Sequence, residues 1–335
     1  ICVDSMGNPY YTGIVNGTVT TTKLNQTSYS SSLDMFVMKV DRAGDSVVWF
    51  TYQGDTGIDE SRAITIGDDG SLYIAGHTNT PNSLSYRAQI ASQLKGGTDV
   101  ILSKFDNDGY LLWSQYVGDS ADDEAYDIRF ANNSVLVVGQ TQDAQSTTQL
   151  RSNFAGPSIG GLDSVNNGGY DGFVIKTDTA GKLVAGGLYG GKANDFFQGV
   201  DILRSSGRVV VIGTFKSPDL SNNFSSSQYG YQLNGYSTTN TAPPSDAFIL
   251  STGSGLDVQW GRYFGGSGLE SGYSVRINQV DSSIFVCGAT ASTDTINFNA
   301  QLEYSLNKFL NATVASTTNT DGFIGSLNPK GALIW

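Results

Sequence analysis

Chemistry in this chain rests on carboxylates and aromatics, because it holds one histidine, His77, and two cysteines, Cys2 and Cys287. With one imidazole and two distant thiols, neither a Ser-His-Asp nor a Cys-His arrangement has a credible partner set. No His/Cys cluster has zinc spacing. His77 ends an apolar run, and its counterparts along the chain are Val15, Gln140, Thr214 and Ala289, so it reads as an edge or surface histidine. The acids cluster as Asp55, Asp59 and Glu60, then Asp119, Asp122, Asp123 and Glu124, then Asp195 and Glu270. Adjacent carboxyls such as Asp122, Asp123 and Glu124 could support glycosidase-like chemistry, which needs two of them across one bond. Exposed loop acids are more often simply solvated, and no catalytic residue is assigned. Asp106-x-Asp108-Gly and the Asp119–Glu124 run are oxygen-rich enough to suit a structural Ca2+ ion. Neither spaces its ligands as an EF-hand loop does, and turn Asp also caps its own backbone without metal. No other cofactor is expected.

Aromatics supply the second kind of chemistry. The segment Gln228-Tyr-Gly-Tyr-Gln-Leu-Asn-Gly-Tyr236 sets Tyr229, Tyr231 and Tyr236 among Asn and Gly, the amphipathic composition of recognition loops and of sugar sites. The same rings would equally pack a long loop onto its own strands. A matching later loop, with Phe298, Leu302, Tyr304, Phe309 and Leu310, is apolar enough to fold back or meet a neighbouring subunit. Glycosylation sequons occur at Asn16, Asn25, Asn132, Asn223 and Asn311, about as many as the Asn, Ser and Thr content predicts by chance. Cys2 and Cys287 are too few for a disulfide framework. They could form one bridge if the two ends of the chain met, and otherwise read as buried free thiols.

These residues are positioned by one phrase written five times: Asp34-Met-Phe-Val-Met-Lys, Asp99-Val-Ile-Leu-Ser-Lys, Asp171-Gly-Phe-Val-Ile-Lys, Asp246-Ala-Phe-Ile-Leu-Ser and Asp321-Gly-Phe-Ile-Gly-Ser. A Trp follows each Asp by 14 or 15 residues (Trp49, Trp113, Trp260, Trp335), with Gly186 in the third copy. A period of 63 to 75 residues means a repeat architecture. Each unit holds four apolar stretches of strand length, A to D, separated by turn residues. In the second unit these begin at Ala63, Leu72, Val100 and Leu111, with turn chemistry at Asp68-Asp69-Gly70 and Asp106-Asn107-Asp108-Gly109. No helical periodicity is sustained. The expectation is an all-β protein, a β-propeller of four-stranded antiparallel blades. It is read as one domain, with blades near 1–57, 58–120, 121–193, 194–268 and 269–335. The ring either closes with five blades or continues beyond this segment, which reads as a piece of a longer chain.

Spacing separates frame from variation. From the strand-D Trp position to the strand-B Gly (Gly76, Gly139, Gly213, Gly288) is always 26 to 28 residues. From the strand-B Gly, Gly13 included, to the next Asp the distances are 21, 23, 32, 33 and 33. All variation therefore sits in the B–C connection, the kind of loop where a scaffold carries its function. In a propeller these loops share one face with the acidic D–A links. That face, with Tyr229, Tyr231, Tyr236, Asp59, Glu60, Asp122, Asp123 and Glu124, is the expected ligand-binding surface.

The order Asp-x-Phe-Val-x-Lys, then Trp-x-x-Tyr-x-Gly-Gly (clearest at Trp260 to Gly266), then Tyr-x-x-Gly-x-Thr, resembles the SBBP-type β-propeller repeat family over essentially the whole chain. The resemblance implies a secreted or surface-anchored scaffold and no particular chemistry. The departures, Gly186 for Trp and Thr252-Gly-Ser-Gly for the Asp-containing turn, read as tolerated packing changes.

Composition bounds the function. A net charge of −12 excludes phosphate-backbone binding, which needs clustered Lys and Arg. No apolar run approaches the length of a membrane span. Only 15% of residues are charged, and Ser, Thr, Asn and Gly abound, which suggests an extracellular or cell-surface setting. The expected role is a non-catalytic, glycosylated adhesion or ligand-recognition module with a protein or glycan partner. The alternatives are a self-assembling block of an extracellular filament or coat and, third, a carbohydrate-active enzyme.

Overall fold

The computed structural model describes residues 1–19, 24–26, 33–81, 86–142, 169–191, 193–217, 245–265, 268–291 and 320–335. Every regular element among them is a strand. The first sheet contains β1 (Cys2–Val3), β2 (Pro9–Val15), β3 (Leu24–Gln26), β4 (Asp34–Val40) and β5 (Val47–Gln53), in the order β1-β2-β4-β5-β3. β3 belongs to the B–C connection and runs parallel to β5, an addition that the repeat did not announce.

The second sheet is β6 (Asp59–Ile66), β7 (Leu72–Thr78), β8 (Asp99–Phe105) and β9 (Leu111–Val117), in chain order. The third follows with β10 (Asp123–Ala131), β11 (Ser134–Thr141), β12 (Asp171–Asp178) and β13 (Leu183–Tyr189). The fourth has β14 (Asp195–Leu203), β15 (Arg208–Phe215), β16 (Asp246–Thr252) and β17 (Val258–Phe264). The fifth has β18 (Glu270–Ile277), β19 (Ile284–Thr290) and β20 (Asp321–Leu327), followed by a bridge from Leu327 to Leu333. Sequential antiparallel sheets, repeated, are the blades of an all-β propeller-type fold.

The repeated glycine of strand B has a structural cause. Strand A carries a register shift opposite it, between Ser61 and Ala63, Ala125 and Asp127, Phe197 and Gly199, and Gly272 and Ser274. There the A-strand backbone swings towards strand B. A Cβ on Gly76, Gly213 or Gly288 would sit 1.8, 1.9 or 2.0 Å from the carbonyl oxygen of Glu60, Phe196 or Ser271. Only glycine admits so close a backbone.

Turns close the far end of each blade. In the C–D turns Asp106, Asp178 and Asn328 accept N–H bonds through Oδ1 from residues two and four places on. Gly44, Gly109, Gly181 and Gly331 take the left-handed conformation these turns require.

The chain divides into two compact units, residues 1–156 with 175–184, and residues 157–174 with 185–335. In the first unit, one core joins Tyr10, Val37 and Trp49 of blade 1 to Ile64, Leu72, Ile74 and Phe105 of blade 2. Tyr73 of blade 2 stacks on Phe130 of blade 3, with centroids 5.5 Å apart. In the second unit, Val210, Ile249, Trp260 and Phe264 of blade 4 meet Val275, Ile284, Phe323 and Leu327 of blade 5. C strands lie between neighbours on both sides, so β8 and β16 are buried at every residue. This explains why the C strand reads as a continuous apolar run.

Candidate functional site

The repeated acids hold blades together. Strand A of each later blade begins with Asp59, Asp123, Asp195 or Glu270, and all four are buried. Each of the three aspartates clasps its own D–A link: Asp55 N–H donates to Asp59 Oδ2 at 2.9 Å, Asp119 N–H to Asp123 Oδ2 at 2.9 Å, and Gly191 N–H to Asp195 Oδ2 at 2.8 Å. Each also grips the end of strand B. The Thr78 hydroxyl donates to Asp59, Lys216 N–H donates to Asp195 Oδ1 at 2.7 Å, and the Thr290 hydroxyl donates to Glu270 Oε1 at 2.7 Å. Strand starts, strand ends and links therefore converge at one end of the blade.

Beside these lie the C-strand aspartates of the preceding blade, Asp34, Asp99, Asp171 and Asp246, also buried. A glycine after strand D makes room for them. A Cβ on Gly118 would lie 2.7 Å from Asp99 Oδ1 and 2.6 Å from Asp123 Oδ2, and one on Gly265 would lie 2.2 Å from Asp246 Oδ1 and 2.7 Å from Glu270 Oε2. Two carboxyls in one dry space cannot both ionise freely. Burial, with the Glu270 charge second, pushes Asp246 up to about 8. Burial lifts Asp99 and Asp195 to about 6 despite the N–H bonds they accept, and raises Asp59 and Asp123.

A stability prediction follows from Asp246. Its folded value is above the unfolded one, so its contribution is fully present below the ordinary carboxyl range and is lost as pH rises through about 8. A shift of that size corresponds to a ceiling of about 6 kcal/mol. Asp246→Asn supplies a donor to Glu270 at every pH. It should match the parent at pH near 5 and exceed it by about 2 kcal/mol at pH near 9 in urea unfolding. Parallel pH profiles for the two proteins would sink this reading of the pair.

The Trp of strand D is a peg into the next blade. Trp49 Nε1–H donates to Asn107 O at 2.9 Å, Trp113 to Thr179 O at 3.2 Å, and Trp260 to Pro329 O at 3.3 Å, each acceptor lying in the following C–D turn. The turn glycine packs under the ring, with a Cβ on Gly331 only 2.9 Å from Trp260 and one on Gly181 3.2 Å from Trp113. The Tyr three residues on anchors the start of its own B–C connection: Tyr116 hydroxyl donates to Thr80 O at 2.9 Å and Tyr263 hydroxyl to Ser217 O at 2.6 Å.

The two departures from the repeat now belong to one joint. Counted from its C–D turn, the third D strand places Ala185, not Gly186, at the peg position. The turn of the following blade has Gly253 where others have Asp or Asn, and buried Leu256 at φ 66° where others have glycine. With no indole above it, that position no longer needs to lack a side chain.

The expected binding surface is thereby divided. Asp59 and Asp123 are interior clasps, which corrects their assignment as exposed ligands. Asp122 is half-buried, and its backbone carbonyl accepts Gln142 N–H at 2.9 Å. Glu60 and Glu124, next along strand A, remain partly exposed and both face His77. Glu60 Oε2 lies 2.7 Å from Arg62 Nη2 and 3.6 Å from His77 Nε2, while Glu124 Oε2 accepts the Tyr126 hydroxyl at 2.8 Å. His77 is 9% exposed, not a surface residue, and its Nδ1 has no hydrogen-bond partner. Burial pulls its pKa down, with Arg62 adding to this and the two glutamates opposing, so the ring is neutral at pH 7. This half-open group of two carboxylates, a guanidinium, an imidazole and a phenol suits donor-rich or cationic partner groups. The repeat alignment located His77, but only the fold brought Glu60 and Glu124 to it.

Tyr229, Tyr231, Tyr236, Asn223 and Asn311 lie outside the described residues, and Asn25 is described in its backbone alone. Asn16 and Asn132 are exposed. Cys2 and Cys287 are both free thiols, so the candidate bridge is not formed, and burial pushes the Cys2 thiol up to about 11. Asp106 is occupied by its own turn. Among the described residues no group of three or more His, Cys, Asp or Glu is placed to hold a metal ion.

No family model matches the chain, so the resemblance to SBBP-type repeats rests on the motifs alone. Over 134 residues, 39% of its length, the chain is 31% identical to the regulatory protein FlaEY of Caulobacter vibrioides, of which it spans 13%. Among solved structures, a mutant Synechocystis apocarotenoid oxygenase aligns over 76% of this chain and 52% of its own, at 10% identity and TM-score 0.35. Sqt1 from Chaetomium thermophilum aligns over 84% and 76%, at 8% identity and TM-score 0.28. Likeness this slight adds nothing on function, and the fold rests on the sheets themselves: an all-β repeat protein of propeller-type blades.

Proposed function

We propose that this protein is a non-catalytic interaction module, working outside the cell or at its surface, that meets a protein or glycan partner at the loop end of its blades. One observation carries the reading. The acids at the starts of strand A clasp their links and Asp34, Asp99, Asp171 and Asp246 are buried beside them, whereas Glu60 and Glu124 stay partly exposed next to the buried His77. That patch lies at the same end as the B–C connections, which alone vary in length. The low content of charged residues and the wealth of Ser, Thr, Asn and Gly favour the extracellular setting.

The test uses the immobilised protein on a glycan array and in extracellular extract, beside a Glu60→Gln/Glu124→Gln variant and a Tyr229→Ala/Tyr231→Ala/Tyr236→Ala variant. A specific partner should be enriched by the parent and lost at least tenfold by one of the variants, with unfolding midpoints unchanged. Equal enrichment by all three proteins rules the site out.

A further inference from the structure

Within the first unit, the group around His77 goes beyond what the blade frame requires. Strand A of each later blade starts with a buried acid, but the next residue varies: Glu60, Glu124, Phe196 or Ser271. Their partners across the strands are His77, Gln140, Thr214 and Ala289. Blades 4 and 5 are thus built with neither an acid nor an imidazole at this level. The two glutamates and the histidine are a feature of blades 2 and 3, and neither glutamate is a clasp.

Their charges are unevenly answered. Glu60 Oε2 lies 2.7 Å from Arg62 Nη2. Glu124 accepts the Tyr126 hydroxyl, and among the described residues no Lys, Arg or His lies within ion-pair distance of it. His77 forms the inner wall, its Nε2 3.6 Å from Glu60 Oε2. The charged groups acting on it are Glu60 and Arg62 from β6 and Glu124 from β10. From β8 its ladder partner is Val100, next to the buried Asp99, whose carboxylate accepts Lys95 and Gly96 N–H. A second proton on the ring would add an N–H at Nδ1, which is buried and has no acceptor, so the imidazole stays neutral at pH 7. The group then sets two carboxylates against one guanidinium, and protonation of His77 cancels the difference.

We propose that this patch receives a lysine or arginine side chain from a protein partner, and that His77 releases it in acid by taking its place as the counter-charge of Glu60 and Glu124. The assignment rests on the loop-end function proposed above and narrows its partner to a basic protein segment. Two cations that compete for the same carboxylates weaken each other's hold by the same factor. Binding therefore rises with pH through the titration of His77, which burial places below the ordinary histidine value, and levels off above it.

A labelled hexalysine peptide at physiological salt is the probe. The parent should bind it about tenfold more tightly at about pH 7.5 than at about pH 5. In His77→Gln, which installs the residue that blade 3 carries at this position, that ratio should fall below about twofold. Glu60→Gln/Glu124→Gln should lose the peptide at both pH values. His77 is the only histidine of the chain, so its imidazole signals in nuclear magnetic resonance report it alone. Bound peptide should lower its titration midpoint, and so should Glu60→Gln/Glu124→Gln. Circular dichroism at both pH values checks that each variant is folded. A ratio near one in the parent overturns the proposal. So does an undiminished ratio in His77→Gln, which would hand the response to another group such as Asp99. A peptide that does not bind the parent at about pH 7.5 overturns it as well, yet leaves the loop-end function standing, because enrichment of an extracellular partner tests that separately.

Discussion

Gly213→Ala should cost the protein about 4 kcal/mol or more, enough to leave a domain of ordinary stability largely unfolded. The added methyl would stand 1.9 Å from the Phe196 carbonyl oxygen and 2.8 Å from the Phe196 carbonyl carbon and Phe197 Cα. These are main-chain atoms of the neighbouring strand, so no rotamer change relieves the clash. Strand β14 would have to move away from β15, opening the ladder from Asp195–Phe215 to Leu203–Arg208. Overpacking against side chains costs about 1–3 kcal/mol, and displacing paired backbone exceeds that. Gly70→Ala is the control: Gly70 has φ 79°, but its nearest neighbour would be 4.0 Å away, so only the backbone conformation is penalised, by about 1 kcal/mol. Urea midpoints compare the two. If Gly213→Ala unfolds no earlier than Gly70→Ala, the close-approach explanation of the strand-B glycine fails.

Trp49→Ala should cost about 3–5 kcal/mol, the usual range for emptying a large buried aromatic site. The ring is buried in the core shared by blades 1 and 2 and rests on Tyr10 at 6.0 Å. Trp49→Phe keeps most of that burial and removes the 2.9 Å bond to Asn107 O, whose turn is open to water. It should cost about 1 kcal/mol. The ratio of the two losses separates packing from hydrogen bonding. Losses of equal size would mean that the N–H peg, not the ring, holds the joint.

How much of this was legible in the chain depends on how far apart the interacting residues lie. Strand order, the turns at Asp106-Asn107-Asp108-Gly109 and the fixed-length frame follow from residues adjacent in sequence, where alternation and turn chemistry act directly. The Trp-x-x-Tyr phrase was visible as a repeat but not as a device, because the carbonyl that the indole meets lies 58 to 69 residues downstream. The shift from Gly186 to Ala185 has the same origin: the spacing of 15 belongs to the first unit, whose C–D turn is one residue longer, and only the turn register shows that the third turn lacks that residue. The paired departures in blades 3 and 4 looked unrelated until the peg and its turn were known to face each other.

The acids show the boundary most clearly. Asp59 and Glu60 are neighbours in the chain and identical in charge, and both read as surface ligands. Alternation along β6 sends Asp59 inward to Asp55 N–H, Thr78 and Thr80, and leaves Glu60 beside Arg62 and His77. The sequence by itself determined a five-fold repeat of strand-forming units, its turns, and the single connection per blade that varies. Only the tertiary structure decided which carboxylates are buried clasps and which stay open, because the groups that enclose them, the preceding blade's strand-C aspartate and the end of strand B, lie about 20 to 25 residues away along the chain.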